Sequence, residues 1–215
     1  MLREIISNEW YTVLIVLSLC ILTFAKQVYA HRFSVFLGVV GNSKYLKIYS
    51  REKKIIDKFD TLLFLNLIIS LSIFVFLSYT TIVEPLPFNI ILYLKIALGV
   101  SLVLLTKILL ERLIASLFTI NSIIDAYLFQ KTSYKNFIGI LLIPVNMILV
   151  FAVHPKPSIF FVIFGVLILI NLIGVFTSIK SYQKIILHNF FYFILYLCAL
   201  EIGPYIILYK LFAEG

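Results

Sequence analysis

The chain has 215 residues, of which 62% are hydrophobic and only 13% charged, with a mean hydropathy of +1.10. A soluble domain is nearer half apolar, with about a quarter of its residues charged, so a water-solvated globule is excluded and a polytopic membrane protein is indicated. The net charge of +8 does not mark a nucleic-acid binder, because the basic residues lie beside apolar runs, where they orient helices and meet anionic headgroups.

A spanning helix needs ~20 mostly apolar residues to cross ~30 Å of hydrocarbon. Six segments are predicted to do so: Trp10–Ala25, Phe59–Thr80, Phe88–Thr106, Asn136–Val153, Ser158–Ile179 and Asn189–Leu211. The remaining loops are too short for a soluble domain. The expected fold is therefore an all-α, polytopic membrane helix bundle forming a single integral membrane domain over residues 1–215. Trp10–Ala25 has the look of a signal-peptide core, with Val28-Tyr29-Ala30 placed for cleavage. Glu4 and Glu9 offset Arg3 in the leading segment, however, and the expectation is an uncleaved first helix.

The inner basic segment 26–58 follows. His31–Tyr45 places Phe33, Phe36, Leu37 and Val40 at i, i+3, i+4 and i+7, the stripe of an amphipathic helix lying in the interface. Gly41-Asn42 would end it, and a charged helical stretch, Lys44–Lys58, would lead into span two. Arg32, Lys44, Lys47, Arg51, Lys53, Lys54 and Lys58 are the residues expected to meet anionic lipid headgroups. Further on, Glu84-Pro85-Leu86-Pro87 and His154-Pro155-Lys156-Pro157 are turns that stop one helix and start the next. Ser116–Gln130 is expected to continue span three beyond the headgroups. Fourteen of the 18 Lys and Arg residues fall in the gaps after spans one, three and five, against three on the opposite side. The positive-inside rule then puts those gaps in the cytoplasm and both termini in the periplasm of a bacterial inner membrane.

Charges at membrane depth are costly and mark function or pairing. Lys95 lies ~10 Å inside the outer end of span three, and Glu201 ~12 Å below the outer surface in span six. That shared depth predicts a buried ion pair; the alternative is a Lys95 that snorkels outward beside a protonated Glu201. Pro204 follows Glu201 and is expected to kink its helix, as Pro144 is beside Asn146 in span four. Asn66 and Asn171 form a second polar layer ~10 Å from the inner surface, suited to interhelical hydrogen bonds of ~0.6 kcal/mol each. Gly99, Ser101, Gly165 and Gly174 permit close helix approach. Lys107 and Glu111, one turn apart, read as a helix-surface salt bridge.

Motifs that carry chemistry are absent. Cys20 and Cys198 sit in spans and read as small hydrophobes. His31, His154 and His188 form no metal-ligand pattern, and there is no nucleophile elbow or phosphate-binding glycine loop. No catalytic residue, metal or cofactor is expected.

The stretch Phe190–Leu211, FFYFILYLCALEIGPYIILYKL, resembles the signature of a Bacteroidota inner-membrane family, domain-of-unknown-function family 4271. FLNLIISLSIFVF, RFSVFLGVVGNSKY and IGILLIPVNMILVF extend the resemblance across nearly the whole chain. It implies no established activity; it suggests, by association, an envelope role in bacteria with a type nine secretion and gliding apparatus. It also highlights Tyr196, Cys198, Glu201, Pro204, Tyr209 and Lys210.

Three functions fit. The first is a noncatalytic subunit or scaffold of an envelope complex, with other membrane subunits and the bilayer as partners. The second is a small proton-coupled transporter module using Lys95 and Glu201, and the third is a lipid-acting membrane enzyme. A foreign helix in a surface groove, a water-filled cavity at Glu201 and a lateral lipid cleft would respectively distinguish them.

Overall fold

The structure, a computed structural model, describes residues 9–39, 44–49, 57–83, 85–117, 121–152 and 156–188. Within these residues the regular elements are helices: α1 (Glu9–Val28), α2 (Ala30–Leu37), α3 (Lys44–Tyr49), α4 (Lys58–Ile82), α5 (Ile90–Leu117), α6 (Asn121–Met147) and α7 (Pro157–His188). A π-helical turn, Ile148–Ala152, continues α6. Five helices are long and apolar enough to cross a membrane: α1, α4, α5, α6 with its π-helical continuation, and α7. The chain is thus a helical membrane protein. The sixth expected span, Asn189–Leu211, lies outside the described residues.

Local chemistry explains where the helices start. Asp57 caps α4, its side chain accepting from the Phe59 amide at 3.2 Å, and Asp60 in the first turn suits the positive end of the helix dipole. Asn89 does the same for α5, accepting from the Ile91 and Leu92 amides at 2.9 and 3.3 Å. Pro157 opens α7, where its missing N–H would have had no partner in any case. Between α1 and α2 only Tyr29 leaves the helix, while Gly38 ends α2. The ends carrying Pro85, Pro87 and Pro157 define a proline side, and those carrying α2 and α3 define a basic side.

Two boundaries differ from the sequence expectation. Ser116–Gln130 does not simply extend span three: α5 ends at Leu117, and from Asn121 the chain belongs to α6. The α6 helix therefore begins well before Asn136. Lys131 belongs inside it because Glu111 on the neighbouring α5 satisfies it. Where a helix over His31–Tyr45 is expected, α2 covers Ala30–Leu37; it buries Phe33 and Phe36 in the protein and leaves Leu37 exposed.

Two helices form the centre, α4 and α6. Asn136 reaches the Asp60 carbonyl, and Asn146 reaches the Ser70 carbonyl, each across a separation of 76 residues. The same separation at two points ten residues apart means that the two helices run parallel. α1 runs antiparallel to α4: Tyr11 lies edge-on to Phe76 near one end, 6.1 Å between centroids, and Ala25 packs in the same cluster as Phe59 near the other. The register is tight at one point. A Cβ on Gly139 would lie 2.7 Å from the Leu67 Cα, so the α4 and α6 backbones nearly touch there. In lipid, apolar association gains nothing from expelling water, and close backbone packing of this kind holds helices together.

On the proline side the core gathers Tyr11, Phe74, Phe76, Tyr93, Leu142 and Phe160; on the basic side it gathers Phe33, Phe36, Tyr45, Phe59, Leu63 and Tyr134. α5 turns much of its length outward, exposing Ile91, Leu94, Leu98, Leu102, Val103 and Leu109. Such residues suit acyl chains or another membrane helix.

Candidate functional site

Serines in transmembrane helices commonly bond back to their own backbone. Ser72 and Ser78 do so, to the Ile68 and Phe74 carbonyls at 2.7 and 2.8 Å. Ser18 and Ser70 instead reach between helices. Ser18 Oγ on α1 donates to Asn66 Oδ1 on α4 at 2.5 Å and lies 3.1 Å from Ser70 Oγ. Its single proton is spent on Asn66, so Ser70 is the donor of the second bond. Asn146 Nδ2 on α6 donates to the Ser70 carbonyl at 2.8 Å. All four residues are at most 1% exposed. Ser18 is nine residues into α1 and Asn66 eight into α4, ~12–14 Å from the respective helix starts, so the layer is near mid-membrane. It joins three helices. Two of its atoms have no partner, Asn66 Nδ2 and Asn146 Oδ1.

A second cluster sits on the basic side. The Arg32 guanidinium on α2 is held by Asp57 and, at 2.9 Å, by Asp60. Its Nε and Nη2 also donate to the Tyr45 hydroxyl at 3.4 Å, and Tyr45 donates to Asp60 Oδ1 at 3.3 Å. The planar cation also lies 4.6 Å from the Tyr49 ring centroid and 4.8 Å from that of Phe59. Burial pulls the Arg32 pKa down, but Tyr45, Asp60 and Asp57 outweigh it and hold the guanidinium above its ordinary value. Burial, with Asp60 beside it, pushes the Tyr45 hydroxyl up, so it remains protonated. The cluster ties α2 and α3 to the start of α4. A lysine cannot reproduce the planar fork or stack on two rings. Arg32→Lys is accordingly expected to destabilise the protein by about 2 kcal/mol, read as a lower unfolding midpoint in detergent while α4 keeps its helix.

The third polar contact joins α5 to α6. Lys131 Nζ donates to Glu111 Oε1 at 2.7 Å, with side chains 5% and 2% exposed. Glu111 is therefore buried between helices and is not confined to the helix-surface role suggested by its spacing from Lys107. Lys131 also lies 5.5 Å from the Tyr127 ring centroid. Nearby on α6, Gln130 Nε2 and Asn136 Oδ1 are buried without partners.

The structure brings Asn66 and Asn146 into one layer. Asn171, expected to share a layer with Asn66, is half-buried on α7. Lys95 is exposed on α5, and Pro144 is exposed within α6, one turn before the π-helical segment. Glu201 and Pro204 lie outside the described residues, so the Lys95–Glu201 pair falls outside them too. Lys44 and Lys47 lie on α3 and Lys58 is exposed at the head of α4, while Arg51, Lys53 and Lys54 are outside the described residues. Arg32, expected at headgroup level, has its guanidinium enclosed by acids and rings. Ser18, Ser70, Asp57, Asp60, Tyr45 and Lys131 were not legible as site residues. Their one sequence signal is polarity recurring where apolar residues dominate.

Among the described residues these polar layers do not merge into one path along the α4–α6 seam. Between Asn136 and Asn146 the α4–α6 seam holds the Gly139–Leu67 contact and buried Leu63 and Leu142. Among the described residues, no three His, Cys, Asp or Glu side chains converge into a group able to hold a metal ion.

Residues 11–212 match a protein-family model whose description is "Domain of unknown function (DUF4271)". No curated protein and no solved structure matches the chain.

Proposed function

The chain belongs to the DUF4271 family, a grouping defined without an activity, and from its own side chains we propose a noncatalytic subunit or scaffold of a bacterial cell-envelope complex. In this reading it sits in the inner membrane with both termini periplasmic. Its lysine-rich cytoplasmic side, including Lys44, Lys47, Arg51, Lys53, Lys54 and Lys58, meets anionic headgroups.

One observation carries the reading. Ionisable groups at the membrane's edge are spent on joining helices: Arg32 with Asp57 and Asp60, and Lys131 with Glu111. The mid-membrane amides are used in the same way. Transport along the α4–α6 seam is disfavoured by the backbone contact at Gly139. Among the described residues what remains available is surface, above all the outward face of α5 with its exposed Lys95. Charge in the apolar part of a helix is costly unless it reaches the interface or finds a partner, which suits a face that meets another subunit.

The test is extraction of the full chain from its native membrane in mild detergent, followed by native mass spectrometry. A fixed-stoichiometry assembly with at least one other membrane protein is expected. Recovery of this chain alone at every concentration would overturn the reading.

A further inference from the structure

We propose that one water molecule is bound at mid-membrane between the side chains of Asn66 and Asn146, completing the polar layer that joins α1, α4 and α6. Two buried atoms require a partner there: Asn66 Nδ2, a donor, and Asn146 Oδ1, an acceptor. Their residues are 0% and 1% exposed, so neither is satisfied by bulk solvent. An unpaired buried amide group costs free energy comparable to a lost hydrogen bond, and buried polar atoms in native proteins are nearly always paired with protein or ordered water.

Both side chains converge on Ser70. Asn146 Nδ2 donates to its carbonyl at 2.8 Å, and Asn66 is linked to its hydroxyl through Ser18. Ser70 is one turn beyond Asn66 on α4, ~6 Å along the axis. A water with ~2.9 Å bonds on both sides spans ~6 Å. Accepting from Asn66 Nδ2 and donating to Asn146 Oδ1, it satisfies both atoms at once.

The bridge forms with the Asn66 amide turned either way. If Asn66 were reversed, its nitrogen would donate to Ser18, Ser18 would donate to Ser70, and the free atom would be an oxygen. The water would then donate both of its protons, one to each asparagine. Reversing Asn146 instead would set its oxygen against the Ser70 carbonyl, which is repulsive.

The site is enclosed. Toward the basic side lie Leu63 and Leu67, which meets Gly139, and toward the proline side lie Phe74, Phe76 and Tyr11, all buried. The molecule is therefore a structural bridge held in the fold and not one link in a file of water.

The test is water-edited solid-state NMR on the full chain in lipid bilayers, with asparagine side-chain nitrogens labelled and assigned. Polarisation transfer from water to both Asn66 and Asn146 is expected, and Asn66→Leu should abolish the transfer at Asn146. Absence of transfer at either residue overturns the proposal, as does transfer at Asn146 that survives Asn66→Leu. Should that variant fail to fold, an experimental map of the unsubstituted protein at ~2 Å decides. A single solvent peak within hydrogen-bond distance of both side chains supports the bridge; two separate peaks, or none, overturn it.

Discussion

Glu111→Leu is expected to lower the unfolding free energy by about 3–5 kcal/mol. The substitution takes the Glu111 carboxylate away from the Lys131 ammonium, 5% exposed, between α5 and α6. Removing one member of a buried pair is strongly destabilising because the other charge stays buried. The companion variant separates charge from packing. Glu111→Leu combined with Lys131→Met removes both charges while keeping similar volume, and pairs replaced in this way are often neutral or more stable. The double variant should therefore recover most of what the single variant loses. The measurement is reversible unfolding in detergent, with all four corners of the cycle compared. A double variant no more stable than Glu111→Leu would mean that the contact matters for shape and not for charge.

Gly139→Ala has the second large expected effect. Its new methyl would approach the Leu67 Cα at 2.7 Å and Cβ at 2.9 Å. The obstruction is largely backbone, so no rotamer change relieves it and α4 must move away from α6. Overpacking of this kind typically costs ~1–3 kcal/mol, and the upper end is expected because the displacement also stretches the Asn146 bond to Ser70. Gly99→Ala is the contrast. Nothing lies within 4 Å of a Cβ there, and alanine is favoured over glycine inside a helix by ~1 kcal/mol. The first substitution should lower the unfolding midpoint and the second leave it unchanged or raise it. Equal effects would remove the argument that α4 and α6 are locked by backbone proximity.

Hydrophobic runs made the membrane class and five of the spans readable, because a bilayer demands long, internally bonded apolar helices. Asn66 and Asn146 stood out for the same reason: an amide is rare at that depth. What the pattern could not reveal was their shared layer. Depth along separate helices places residues by height but not by rotation, so Asn66 was matched with Asn171 while its bonds run to Ser18 and back through Ser70 to Asn146. Serine gave no warning, since its usual habit is to bond its own helix. Lys131 was missed for a different reason. It follows Ser116–Gln130, which reads as an extension of the preceding span, and so counts as one more cation of a basic gap. In the structure it belongs to α6 and finds an acid on α5. Arg32 likewise counted as one more cation in a basic run. Only the fold brings Asp57, Asp60, Tyr49 and Phe59 around it.

The parallel arrangement of α4 and α6 constrains how this protein can be made. During synthesis α4 emerges long before α6, with α5 still to be threaded back across the bilayer between them. Until α6 enters, the Ser70 carbonyl has no Asn146 amide to receive, and the groove alongside Leu67 has no Gly139 to fill it. A chain interrupted after Leu117 would present that unfinished seam to the lipid, with the Ser70 carbonyl and the Leu67 groove still waiting for α6.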